Sequence, residues 1–249
     1  MSGHSKWSTI KRQKGALDAK RGQLFTKLAK NIALAAQKGG GDPDANFSLR
    51  LAVEKARLAN MPKDNIERAI KRGTGEDKGG SYEEIVYEGY LPHGIAILVE
   101  CVTDNRNRTI AEIRSTLNRY NGSLAEGGSV SWQFDRQAYF VFEPGTRSED
   151  QVLEMALEAG ADDVVYEPDS VEISGAVESF KSLSDALQAN KIVTSESGLR
   201  FVAQNRTELD LEKTSQILRI IEAIDDLDDV QNVYSNIDIT EDLAKELEA

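Results

Sequence analysis

The stretch that most narrows the possible folds lies in the second half of the chain, where the apolar period changes in a fixed order. Residues 138–142 read as a strand, and Pro144-Gly145 turns into a helix with Val152, Met155, Ala156 and Ala159 at helical spacing. Residues 164–166 and 171–173 are two short strands around the turn Glu167-Pro168-Asp169-Ser170. Val177, Phe180, Leu183 and Leu187 mark a second helix, and residues 199–203 a closing strand. Strand, helix, strand, strand, helix, strand is the split order of ferredoxin-like folds. Upstream, Ile85 and Tyr87 alternate as in a strand that runs on towards Tyr90, Leu91-Pro92-His93-Gly94 reads as a turn, and residues 95–102 form a more continuous apolar strand. Thr109 to Glu112 fits a capping box that opens a helix with Ile110, Ile113, Leu117 and Tyr120 on its face. A glycine-rich loop over 122–128 then leads to a strand at 130–134. This upstream sheet lacks a closing helix and strand. The helix of Ile217, Leu218, Ile221 and Ile224 and the strand 230–234 supply them from the far end of the chain. The expected fold class is therefore α+β, with the ferredoxin-like domain, 136–207, inserted into a discontinuous α/β domain, 82–135 plus 208–249. A plain sequential arrangement is the alternative.

Ahead of the linker 73–81 lies a different kind of chain. Leu24, Leu28, Ile32 and Ala36, flanked by Phe25, Ala29 and Ala35, recur at helical spacing up to Gly39-Gly40-Gly41. Asp42-Pro43 reads as the opening of a second helix, with Phe47, Leu51 and Leu58 beside Ala52 and Val53 as its buried face. Pro62 opens a third, with Ile66, Ala69 and Ile70 inward and Gly73 as its stop. Residues 1–78 thus form a small all-helical domain.

Charge separates the same regions. Residues 1–78 hold 17 Lys/Arg against 8 Asp/Glu, whereas 79–249 hold 13 against 34, within a formal net charge of -12. A cationic end on an anionic molecule approaches a polyanion in one orientation. The candidate phosphate contacts are Lys6, Lys11, Arg12, Lys14, Lys20 and Arg21, continued by Lys27, Lys30, Arg68, Lys71 and Arg72, with Trp7 available to stack on a base. A solvated tail folded back on the acidic domains is the competing reading. Arg106 and Arg108, just ahead of the Thr109 helix, can hold a second anion or pair with this chain's own carboxylates.

Several blocks together carry a resemblance: Gly3-His4-Ser5-Lys6-Trp7, Asp18-Ala19-Lys20-Arg21-Gly22, Gly39-Gly40-Gly41-Asp42-Pro43, Met61 through Ile70, Tyr87-Glu88-Gly89-Tyr90 and Thr103 through Thr109. Over essentially its whole length the chain resembles the YebC/PmpR family of bacterial regulatory proteins, whose mitochondrial relative is a translational activator of cytochrome c oxidase. The resemblance implies three domains, a cytoplasmic location and a non-enzymatic role. That role is transcriptional regulation by DNA binding in some members, and ribosome-associated relief of stalling at proline runs in others. DNA and ribosomal RNA both remain open as the target, because an extended basic arm suits either.

Other classes are disfavoured. No apolar run approaches the ~20 residues that span a bilayer, and the basic start reads as a mature N-terminus in place of a transit peptide. One cysteine and two histidines, His4 and His93, leave no usual zinc ligand set, and Cys101 reads as a buried structural thiol. Residues 122–129 imitate a phosphate loop, but Gly128 stands where its lysine belongs. No cofactor is expected, and a magnesium-dependent hydrolase is the remaining enzymatic alternative. A scaffold whose acidic domains bind basic proteins is the third class, and a monomer is the expected state.

Overall fold

The computed structural model describes residues 17–77, 80–240 and 243, the side chains of 17–20 excepted. Trp132–Arg206 forms one compact unit, and the described residues on either side of it form the other.

The larger unit begins with three helices, α1 (Leu17–Gly39), α2 (Phe47–Leu58) and α3 (Lys63–Thr74). Leu28, Ile32 and Ala36 of α1 pack with Leu49, Val53 and Ala56 of α2 and with Ile66 and Ala69 of α3. The start and phase of α2 differ from expectation. Asp42-Pro43 makes a turn, and the cap is Asn46, whose Oδ1 accepts from the Leu49 amide at 3.1 Å. The Asn46 amide also donates to the carbonyls of Ala35 and Gly40, both at 2.8 Å, tying the end of α1 to the start of α2. Starting there turns Leu49, Val53 and Ala56 inward and leaves Phe47 37% and Leu58 66% exposed. The third helix runs one residue past Gly73 and stops at Gly75, whose φ of 81° suits glycine. Gly73 instead permits a close helix crossing, since a Cβ there would lie 2.2 Å from the Ala33 carbonyl oxygen.

The same unit holds a four-stranded sheet in the order β3-β1-β2-β9, built from β1 (Glu83–Tyr90), β2 (Ala96–Thr103), β3 (Ser123–Leu124) and β9 (Val230–Ser235). All eight residues of β2 are buried, as a strand paired on both sides requires. Helices α4 (Arg106–Arg119) and α7 (Leu211–Asp225) belong to this sheet domain, and β8 (Thr207–Glu208) pairs with β10 (Ile237–Asp238). The capping box at Thr109 is corrected: Asn105 caps α4, accepting from the Arg108 amide at 3.1 Å. Arg106 and Arg108 thus sit in the first helical turn, not ahead of it, and Thr109 turns inside, 1% exposed. Cys101 is fully buried, and burial pushes its thiol up to about 12. We expect no alkylation by iodoacetamide at about pH 8 in the native protein, and rapid alkylation in concentrated guanidinium; equal rates would place the thiol at the surface.

The smaller unit runs β4 (Phe134–Phe142), α5 (Glu149–Glu158), β5 (Asp163–Tyr166), β6 (Val171–Ala176), α6 (Phe180–Ala189) and β7 (Thr194–Ala203), with sheet order β5-β6-β4-β7 and antiparallel neighbours throughout. This is the ferredoxin-like arrangement. The strand expected at 130–134 is corrected: Ser131–Gln133 is a 3-10 turn, and one continuous strand follows it. Phe140, Phe142, Val152, Ala156, Ile173, Leu183 and Leu187 fill the core. On the two strands flanking β4, Glu172 and Arg200 make a buried ion pair, with the guanidinium 4.7 Å from the Tyr139 ring centroid.

Candidate nucleic-acid interface

Of the cations the sequence singles out, Lys6, Lys11, Arg12 and Lys14, together with Trp7, lie outside the described residues, as does the side chain of Lys20. Arg21 is exposed, its guanidinium 5.4 Å from the Phe25 ring centroid. The remainder divide into two sets.

The first set faces the sheet domain. Lys27 Nζ donates to the Asp225 carbonyl at 2.5 Å and to its carboxylate at 3.0 Å, so a cation caps the C-terminal end of α7. Lys30 Nζ reaches the Asp228 carbonyl and the Asp229 carboxylate, each at 2.6 Å. Arg108 donates to Asp229 at 2.8 Å and to Asp104 at 3.0 Å, and Arg72 pairs with Asp104 at 3.2 Å while lying 4.8 Å from the Tyr82 ring centroid. Arg106 pairs with Glu83 at 3.5 Å. Of the two readings of Arg106 and Arg108, the structure shows the ion pairs. It also moves Lys27, Lys30 and Arg72 from the free surface into the joint between helices and sheet.

Asp229 is the centre of that joint. Its side chain is 2% exposed and also accepts from the hydroxyls of Thr109 at 2.7 Å and Thr103 at 3.2 Å. Burial alone would raise its pKa, but the donors from Lys30, Arg108 and Thr109 outweigh burial and hold the carboxyl below its usual range. Around it, Gln37 and Tyr82 exchange two hydrogen bonds, at 3.0 and 2.9 Å. Ala33, Leu34, Tyr82 and Val102 add a small apolar patch. An open cleft of roughly 570 Å³ borders the joint, and its lining includes Lys30, Arg72 and Arg108 together with Asp104, Asp228 and Asp229.

The second set points outward. Arg68 and Lys71, three apart on α3, are exposed, and Lys63 is 86% exposed with only a 3.5 Å pairing to Glu67. Arg50 and Arg57 on α2 are exposed as well. These two were missed from the sequence, although their seven-residue spacing puts them on one edge of any helix spanning both.

The glycine-rich loop that imitates a phosphate site has its anion already. Glu88, 9% exposed, accepts the amides of Gly128 at 2.7 Å, Val130 at 2.6 Å and Ser131 at 2.9 Å. Burial pushes this carboxyl up, and the amide donors more than reverse it, so Glu88 stays ionised inside a backbone nest. Among the described residues no group of three or more His, Cys, Asp or Glu could hold a metal ion, and no helix is long and apolar enough to cross a membrane.

Comparison with known proteins covers nearly the whole chain. Residues 5–76 match the model of the TACO1/YebC protein N-terminal domain, and residues 82–237 that of the TACO1/YebC second and third domain. A probable transcriptional regulatory protein of Geobacter sulfurreducens is 51% identical over 98% of this chain and 99% of its own. One from Maridesulfovibrio salexigens is 49% identical over the full length of both. A crystal structure of a conserved hypothetical protein from Aquifex aeolicus superposes with a TM-score of 0.81 at 38% identity, over 90% of this chain and 93% of that one.

Proposed function

The chain belongs to the TACO1/YebC family, and from that premise we propose that it is a non-enzymatic transcriptional regulator that grips nucleic acid by its phosphates through the outward cations of its helical domain. The observation that carries this reading is the division of the cations. Lys27, Lys30, Arg72 and Arg108 are held by the chain's own aspartates, while Arg50, Arg57, Arg68 and Lys71 stand exposed on two adjacent helices. With Arg21, also exposed, these are outward cations of the helical domain on a molecule whose formal net charge is -12. The names of the relatives support regulation of transcription. Contacts to phosphates position a protein on nucleic acid without reading base edges, so modest sequence preference goes with a surface that grips by phosphates.

Fluorescence anisotropy with a duplex DNA and a ribosomal RNA hairpin of equal length, each over a salt series, tests the reading. Log affinity should fall with log salt by about 0.9 per engaged phosphate on duplex DNA. Changing Arg50, Arg57, Arg68 and Lys71 together to Ala should flatten that slope by about 2–4 and weaken binding by well over tenfold near physiological salt. Unchanged slope and affinity would remove the helical surface from the function. Binding tighter to the hairpin than to the duplex would make RNA the target.

A further inference from the structure

Helix α5 carries more apolar surface than its own sheet covers. At about 100° per residue, the apolar positions from Met155 through Val152 and Ala156 to Leu153 and Leu157 span an arc of about 200°, about twice the stripe that suffices to face a core. Val152 and Ala156 are buried and Met155 and Ala159 pack against them, whereas Leu153 is 41% and Leu157 55% exposed. These two leucines lie one turn apart, so their side chains adjoin. Next to them runs a second ridge at the same spacing, Asp150, Glu154 and Glu158, all exposed. Among the described residues no ion pair engages any of the three carboxylates. The result is an apolar ridge with an anionic rim on one helix.

The helix is also held rigidly. Ser148 and Gln151 close a reciprocal capping box at its start. The Arg147 guanidinium donates to the Asn190 carbonyl at 2.9 Å, and the Tyr166 hydroxyl donates to the Arg147 carbonyl at 2.6 Å, which fixes the entry of the chain into α5. A face already fixed in its bound form loses little freedom on docking.

We propose that this face of α5 docks a basic amphipathic segment of a protein partner, its apolar side chains seated on Leu153 and Leu157 and its Lys or Arg side chains along Asp150, Glu154 and Glu158. Charge selects the occupant. Residues 132–206 hold 6 Lys/Arg against 14 Asp/Glu, so this unit repels a polyanion and steers a cationic segment toward itself. The site shares neither residues nor charge sign with the helical-domain surface, and it stands or falls apart from the nucleic-acid reading.

The test uses the full chain and two dye-labelled amphipathic helical peptides of about 20 residues, one of Lys and Leu and one of Glu and Leu, followed by anisotropy. The Lys/Leu peptide should bind and the Glu/Leu peptide should not. Leu153→Ser with Leu157→Ser should weaken the Lys/Leu peptide about tenfold, and Asp150→Asn with Glu154→Gln and Glu158→Gln should weaken it and flatten its salt dependence. Thermal melts of both variants should match the parent, because the exchanged side chains lie outside the core. Affinity for duplex DNA should not change in the serine variant. Failure of the Lys/Leu peptide to bind, equal binding of both peptides, or parent-like binding by the serine variant would each overturn the proposal. So would sedimentation showing that the leucine pair holds two copies of the chain together.

Discussion

Asp229→Ala should lower the stability of the larger unit by about 3–5 kcal/mol, the usual cost of removing one partner from a buried ion pair. The substitution leaves Lys30, whose side chain is 11% exposed, with the Asp228 carbonyl as its remaining hydrogen-bond partner among the described residues. It also strips the hydroxyls of Thr103 and Thr109 of a common acceptor. Arg108, 44% exposed, loses less, since water and Asp104 can take over. A double-mutant cycle with Lys30→Ala should return a coupling of about 1–3 kcal/mol. The pH dependence has a definite sign. Because donors hold the Asp229 carboxyl below its usual range in the folded protein, its contribution is complete above the unfolded value of about 3.9 and is lost as pH falls through the folded one. Urea melts should therefore separate parent and Asp229→Ala widely near neutral pH and bring them together under strong acid. A gap below about 1 kcal/mol at neutral pH would mean that the helices are seated by the apolar patch and the other contacts of the joint, and that Asp229 is not its centre.

How far the sequence could anticipate this joint depends on distance along the chain. Leu28, Ile32 and Ala36 declare α1 because a helix is a local object, and the ferredoxin-like order from Phe134 to Ala203 is readable for the same reason. The destinations of Lys27 and Lys30 are not readable, since their aspartates lie 198 and 199 residues away. A lysine facing such a partner looks, in one dimension, like a lysine facing water. The phase of α2 fails differently. Phe47, Leu51 and Leu58 form one apolar stripe and Leu49, Val53 and Ala56 another, and hydrophobicity alone favours the larger side chains. The choice is made by Asn46, whose buried amide has acceptors only if the helix begins after it.

The glycine loop marks where a motif is right about the physics and silent about the partner. Successive amides around Gly128 do gather a negative charge, as the composition of 122–129 suggests, but the charge belongs to Glu88, forty residues earlier. A phosphate would have to displace a carboxylate that already takes three amide donors. Among the described residues no carboxylate pairs with Arg50, Arg57, Arg68 or Lys71, and it is there that loss of cations should register on nucleic-acid affinity without registering on the fold.

A single exchange, Gly→Ala, should change sign between two positions of the same helical layer. Alanine in a helix gains about 0.8–1 kcal/mol over glycine from propensity. At Gly22 of α1 nothing among the described residues lies within 4 Å of the added methyl, so Gly22→Ala should stabilise the protein by up to that amount. At Gly73 the methyl would sit 2.2 Å from the Ala33 carbonyl oxygen and 2.8 Å from the Ala36 Cβ. A backbone oxygen cannot swing aside as a side chain can, so α1 and α3 must separate. Overpacking typically costs 1–3 kcal/mol, and spreading two helices belongs at the upper end or beyond, which leaves Gly73→Ala net destabilising by about 2 kcal/mol after the propensity gain. The separation also turns α3, on which Arg68 and Lys71 face out and Arg72 is anchored to Asp104. Gly73→Ala should therefore weaken nucleic-acid binding severalfold where Gly22→Ala leaves it unchanged. If denaturant melts of the two variants shift in the same direction, the close crossing of α1 and α3 is not what holds the helical domain in shape.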